Sequence, residues 1–285
     1  MLHTAPSSRP DLAVTRVRRA VKVRLGKVIR VQAITPTLVG ITLAGDDLRD
    51  FESASFDDHV KVFFPAEGQE KPVLPAFGPD GAAGPPAAGG LAADGATSPR
   101  PVARDFTPRR FDNRRGELDI EFALHATGIA TAWASHAQVG QYLGIGGPRG
   151  SMIIPTEFDW HLLIGDDTAL PAIARRLDEL PATAHAIVVA EIAGAHAEVA
   201  LKSRASLHVT WCHRDGGEAR SLFSAVSAMP SLPAGEGYAW AAAESASVRQ
   251  IREHLVADRQ MARDRVRAAA YWKRGTQAVH EVIGD

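Results

Sequence analysis

The chain has 285 residues, 45% of them hydrophobic and 23% charged, the composition of an ordinary globular protein with room for two domains. Thirty-two basic side chains against thirty-three acidic ones leave no global field, so charge suggests no nucleic-acid partner, and an anionic ligand must be met by a local cluster. The one cysteine, Cys212, excludes an intramolecular disulfide and a cysteine-ligated zinc or iron–sulfur site, and it suits a reducing, cytoplasmic compartment.

Residues 1–15 read as a loose tail. It has no apolar run after its basic residues, so no signal peptide is expected, and no later stretch is apolar for long enough to insert in a membrane. From Val17 onward the pattern is β: KVIRVQAI, TLVGITLAG and HVKVFFP are short, rich in Val and Ile, and separated by polar turns. In the last of these, Val60 and Val62 should face one side, with His59, Lys61 and Phe63 on the other. Residues 66–102, packed with Ala, Gly and Pro, read as a long mobile surface loop. Then ELDIEFALH alternates Leu118, Ile120, Phe122 and Leu124 with polar or small residues, as a half-buried strand does. A short helix, GIATAWASHA, and a glycine-rich turn, YLGIGGPRGS, complete an antiparallel barrel over 16–155.

Over 156–285 the period changes. Strands are expected at DWHLLIG, HAIVVAEIA, LHVTWC and GYAWAAAE, with helices at LPAIARRLDEL, HAEVALKSR, SLFSAVSAM and SVRQIREHLVADRQ. In the last helix Val248, Ile251, Leu255 and Val256 share a face, and Ser247 with Gln250 has capping-box spacing. Alternating β and α imply a parallel sheet covered by helices, a nucleotide-type α/β domain with a C-terminal helix.

Several stretches carry chemistry. ARDFTPRRFD crowds charges and aromatics around Arg104, Phe106 and Thr107, while Arg109 and Arg110 read as solvated turn residues. Ala130, Thr131 and Ala132 sit at a helix start, where free N–H groups suit a phosphate and an ordinary capped helix is the alternative. GIGGPRGS lacks the Lys and Ser/Thr of a phosphate loop; it reads as a turn that presents Arg149 between Pro148 and Gly150. In GDDTALPA, Thr168 and Pro171 suit a helix start at a strand end; Asp166 and Asp167 make it less welcoming to a dinucleotide phosphate than a glycine loop, and capping explains it about as well as cofactor binding. Near the C-terminus, Arg263, Arg265, Arg267, Lys273 and Arg274 gather around Tyr271 and Trp272; a solvated helix end explains the charges but not the aromatics. Neither HExxH nor Gly-x-Ser-x-Gly occurs, so metal-assisted or serine hydrolysis is not expected.

In this order, RDFTP, a strand ending in His125, GIATAWA, GPRGS, GDDTALPA and RVRAAAYW resemble the siderophore-interacting proteins, FAD-dependent ferric-siderophore reductases of the ferredoxin–NADP reductase superfamily. The likeness runs from about residue 16 to Lys273 and is nearest the NADPH-dependent ferric-chelate reductase branch. It implies a six-stranded antiparallel flavin-binding barrel followed by a parallel-sheet nucleotide-binding domain. It also implies that the family's Arg-x-Tyr-Thr/Ser flavin motif falls on Arg104, Phe106 and Thr107, with Phe in place of the usual Tyr. His125, Ala130, Thr131, Ala132 and Trp133 match its second FAD segment, and Trp272 joins the cofactor-binding set. By position, Lys61, Arg149 and Arg267 match the branch's basic triad, which attracts an anionic ferric chelate such as a catecholate. NADPH or NADH then supplies electrons through FAD to Fe(III), releasing Fe(II), and no side-chain acid, base or nucleophile is needed. A monomer is implied. The residues leave open reduced ferredoxin as the donor, and a non-enzymatic chelate-binding protein.

Overall fold

A computed structural model of the chain describes residues 11–75, 102–125, 128–215, 221–276 and 281–283. The first half contributes β1 (Thr15–Arg18), β2 (Val23–Thr35), β3 (Leu38–Ala44), β4 (Val60–Phe64), β5 (Val102–Phe106), β6 (Pro108–Asp112), β7 (Glu117–Ala123), the helix α1 (Ile129–Ala134), β8 (Tyr142–Gly146) and β9 (Gly150–Ile153). Seven of these strands form one antiparallel sheet in the order β5-β4-β8-β2-β3-β7-β6. Its two end strands are consecutive in the chain, with Thr107 alone between them. The sheet therefore closes through one bent strand, β5–β6, into a barrel of six, and Thr107 stands at the corner. Period-two alternation fills the interior: Val60, Val62, Leu118, Ile120, Leu143 and Ile145 are all sealed from water, while Lys61 faces out. Helix α1 packs Ile129, Trp133 and Ala134 onto this core.

The glycines of YLGIGG serve packing. A Cβ at Gly144 would come within 3.1 Å of Phe63 Cβ, and one at Gly146 within 3.0 Å of Phe63 Cε2. Removing both side chains lets the Phe63 ring lie across the outer face of β8.

The second half contributes β10 (Trp160–Asp166), α2 (Leu170–Glu179), β11 (His185–Ile192), β12 (Ser206–His213), α3 (Leu222–Ser227), β13 (Gly237–Glu244), α4 (Ser245–Glu253), β14 (Val266–Trp272) and β15 (Glu281–Val282). The sheet order is β12-β11-β10-β13-β14-β15, parallel except for β15. Each central strand buries both faces: Tyr238, Trp240 and Ala242 join the core beneath α2, and Ala239, Ala241 and Ala243 the core beneath α3 and α4. None of the described helices is long and apolar enough to cross a membrane.

The barrel docks on the α2 side of this sheet. Phe56 enters the α/β core and meets the Trp240 ring edge-on, with centroids 5.4 Å apart. From α2, Arg175 reaches back to the barrel and donates to Ser53 Oγ at 2.8 Å, Ser53 O at 3.0 Å and Pro108 O at 2.9 Å.

Five expectations are corrected. The tail is not loose throughout: Leu12 and Val14 pack on the α/β core, Leu12 O accepts from Arg265, and Thr15 opens β1 against β9, while residues 1–10 lie outside the described residues. HAEVALKSR is not a helix beyond one turn at Ala195–Ala197; Ala197, Val199 and Leu201 alternate onto the core as extended chain, and Ser203 Oγ donates to Leu177 O. The last helix starts at Ser245 and is capped by the Glu244 carboxylate, which accepts from the amides of Ala246 and Ser247. RVRAAAYW is strand β14, because Ala268, Ala269 and Ala270 are narrow enough to sit inside the sheet with both faces covered. Arg109 is largely covered rather than solvated, paired with Asp178 of α2 at 2.8 Å; Arg110 is exposed as expected. Of the 66–102 loop, Leu74 packs over Gly144 and Lys71 Nζ lies 4.9 Å from the Tyr142 ring centre, and 76–101 fall outside the described residues.

Candidate active site at the seam between the domains

Strand β5 places Arg104 opposite Val62 and Phe106 opposite Val60, so both side chains share the face of those valines. Phe106 is half-buried, its ring centre 4.4 Å from that of Phe122 and 6.4 Å from Phe64. Trp133 completes the group, 5.8 Å from Phe64 and 6.0 Å from Phe122. Two separate segments of the sequence, the ARDFT strand and α1, thus meet in one aromatic cluster. The His125 amide donates to Thr131 Oγ1 at 3.1 Å, tying the end of β7 to the same helix. Gly128 opens α1 at φ 134°, and a Cβ there would meet nothing within 4 Å. Ala132 N is the first amide bonded within the helix, to Gly128 O at 2.9 Å, so Ala130 and Thr131 lie in the first turn, whose amides have no intrahelical acceptor.

This surface fits a flavin dinucleotide. It combines half-buried aromatic faces, the Arg104 guanidinium and open backbone at Gly128, with Thr107 buried at the barrel corner beside them. Thr107 also touches the other domain: its side chain shares a hydrogen bond with Tyr271 of β14, whose phenol is pushed up by burial. Trp272 turns the other way and donates its indole N–H to Asp166 at 2.7 Å. Tyr271, not Trp272, is thus the β14 aromatic that reaches the barrel.

Two of the three basic residues meet at one short stretch, Asp57–Lys61: Lys61 belongs to it and Arg267 bonds to Asp57. Lys61 lies opposite both Asp105 on β5 and Gly146 on β8, and its Nζ is 2.8 Å from Asp105 Oδ1. Arg149 follows three residues after Gly146 and is exposed. Arg267 projects from β14 and is 87% covered, since its side chain is only 13% exposed. Its Nε donates to Asp57 Oδ2, and Trp240 Nε1 donates to Asp57 Oδ1 at 2.8 Å. Burial works against the Arg267 charge and Asp57 overcomes it, so the guanidinium is held more firmly protonated than usual. Sequence patterning singled out Tyr271 without giving it a role, and it missed Asp57 and Asp105. The available signal was FDDHVKVFFP: two adjacent acids, Asp57 and Asp58, lead straight into a core strand, and both prove buried.

At the carboxyl edge of the parallel sheet, β10 and β13 diverge into the crevice where α/β sheets bind ligands. The turn there is internally satisfied. Asp166 rather than Thr168 is the cap, and its carboxylate takes the Thr168 amide at 3.0 Å. Burial pushes that carboxyl up, against the hydrogen bonds from Thr168 and Trp272. Asp167 is paired with Arg214, which also reaches Glu191 at 3.4 Å. Pro171 sits in the first turn of α2 as expected. The described residues include no group of three His, Cys, Asp or Glu placed to hold a metal ion.

Comparisons with known proteins agree with this layout. Residues 27–152 match the siderophore-interacting FAD-binding domain, and residues 158–275 match the siderophore-interacting protein model. An Escherichia coli (strain K12) protein named NADPH-dependent ferric-chelate reductase is 33% identical over 260 residues, covering 90% of this chain and 95% of its own. The crystal structure of a siderophore utilization protein from T. fusca superposes with a TM-score of 0.81 at 35% identity, covering 94% of this chain and 98% of that one. At 16% identity, the ferredoxin reductase in carbazole 1,9a-dioxygenase shares the fold, with a TM-score of 0.58 over 86% of this chain and 68% of that one. By its sequence and by both of its domains, the chain belongs to the siderophore-interacting protein family.

Proposed function

We propose that the protein is an FAD-dependent reductase that takes electrons from NADPH or NADH and delivers them to Fe(III) in an anionic ferric siderophore. The observation that carries this is the seam itself. The aromatic and hydroxyl cradle of the barrel abuts β14 of the α/β domain through Thr107–Tyr271, and Arg267 lies earlier on the same strand, with Ala268, Ala269 and Ala270 between. The chemistry that FAD supplies when bound is the conversion of a hydride donation into one-electron reduction.

The chain's own residues bind and orient. Phe106 offers an apolar face for the ring system, Arg104 a charge for the phosphates, and Thr107 a hydroxyl for the ring edge; His125, Ala130, Thr131, Ala132 and Trp133 would lie along the pyrophosphate and adenosine. Stacking survives the loss of one phenol hydroxyl at Phe106. Lys61, Arg149 and Arg267 hold the chelate's negative charge beside the electron donor. Since Fe(II) is bound far more weakly by such chelators, reduction frees the iron. A cytoplasmic monomer is part of this reading; the single cysteine, Cys212, suits a reducing compartment.

Lys61→Ala and Arg149→Ala should each raise KM for an anionic ferric chelate about tenfold, with smaller changes in kcat. Unchanged KM in both would remove the triad from the account. Rapid reduction by NADPH, NADH or reduced ferredoxin, followed side by side, identifies the donor.

A further inference from the structure

Two of the three cations proposed to hold the chelate are not available as bare charges. Lys61 Nζ lies 2.8 Å from Asp105 Oδ1, and those two residues are direct partners across β4 and β5. Arg267 Nε is bonded to Asp57, a carboxylate only 3% exposed that is also fixed by Trp240 Nε1. Arg149 alone is exposed without a carboxylate partner among the described residues. Asp105 stands between the flavin-motif residues Arg104 and Phe106, so the strand that carries the cradle also carries the counter-charge.

We infer that Asp57 and Asp105 are specificity-determining residues that set the charge of the chelate pocket, and that the pocket takes ferric chelates of low charge in preference to trianionic tris-catecholates. The inference rests on the chelate site proposed above. Three cations and two carboxylates leave a single uncompensated positive charge. From a few ångströms away, each ion pair acts as a dipole, and its pull on an anion falls off faster than that of a lone charge. A trianion entering such a pocket gives up hydration that one net charge does not replace. A neutral or monoanionic chelate loses far less. The pairs keep a second use: Asp105 and Asp57 hold the two long side chains in place, so the N–H groups are oriented before a ligand arrives.

The test separates charge from redox potential by using gallium(III), which has the charge and shape of Fe(III) but is not reduced. Gallium(III) tris-hydroxamate, neutral, and gallium(III) tris-catecholamide, trianionic, are titrated calorimetrically into the oxidised holoprotein. Wild type should bind the neutral complex at least as tightly. Asp105→Asn keeps the side-chain shape and unmasks Lys61. It should tighten the trianion about tenfold, the effect of one unit charge on a triply charged ligand about 10 Å away in water, and the neutral complex by under about twofold. The gain should shrink as salt is raised. Asp57→Asn, accepted only if it retains flavin and a cooperative melt, should move the trianion the same way. If Lys61→Ala weakens the trianion while Asp105→Asn leaves it unchanged, the charge-setting role is wrong and the chelate site stands. If neither changes any affinity, the chelate site itself is wrong, and this inference falls with it.

Discussion

Arg267→Met isolates the structural share of a residue also assigned to ligand binding. It keeps most of the buried stem and removes the guanidinium. Asp57, 3% exposed, then keeps the hydrogen bond from Trp240 Nε1 at 2.8 Å. Breaking a buried ion pair from one side costs about 3–5 kcal/mol, and the surviving indole bond puts this case near the lower end, at about 3 kcal/mol. For a chain of this size, that is a fall of about 6–12 °C in the melting midpoint. Adding Asp57→Asn removes the stranded charge, so the double variant should recover about 2 kcal/mol. The KM for an anionic ferric chelate should stay raised in both. Thermal melts followed by flavin fluorescence, with steady-state kinetics on the same preparations, read the two effects separately. An Arg267→Met protein that melts with wild type, or a double variant no more stable than the single, refutes the buried pair.

Three other outcomes follow. Arg175→Ala removes three hydrogen bonds across the domain seam and should lower stability by about 3 kcal/mol in urea titration; an unchanged midpoint would mean the α2–barrel contact is not closed. Burial, then the nearby Arg176 charge, hold the His161 imidazole down to about 3, against 6.5 for the free side chain. Its contribution is fully present above pH 6.5 and is lost as pH falls toward 3, at up to about 1.4 kcal/mol per pH unit, so wild type should lose about 2 kcal/mol at pH 5 relative to His161→Leu. Parallel pH–stability curves for the two proteins would contradict this. Gly146→Val places a Cβ 3.0 Å from Phe63 Cε2 and 3.8 Å from Lys61 Cβ, and should cost about 2 kcal/mol while raising KM for the chelate; a silent substitution would refute the close packing.

The architecture was legible because periodicity reports burial. Val60 and Val62 in, Lys61 out, and the alternating faces of ELDIEFALH all follow from the pleat. The continuous apolar runs of the second half follow from a sheet covered on both sides. What was illegible was long-range pairing. Nothing local in RVRAAAYW says that Arg267 will meet Asp57, 210 residues earlier, so its charges looked like a solvated helix end. Arg109 looked equally solvated because its partners are remote in sequence: Glu121 on β7 and Asp178 on the other domain. The glycines at 144 and 146 read as a turn in one dimension and make room for Phe63 on a strand in three. The roles of Arg104, Phe106 and Thr107 came from resemblance, and their geometry adds the contacts to Trp133, by way of Phe122, and to Tyr271.

The account stands most directly on one anaerobic experiment. Holoprotein reduced with one equivalent of NADPH is mixed with a ferric chelate and a ferrous trap while the flavin spectrum is followed. The account predicts that the oxidised flavin spectrum returns and that trapped Fe(II) matches the electrons stored. A colourless protein, or a reduced flavin that persists beside saturating ferric chelate, would contradict it.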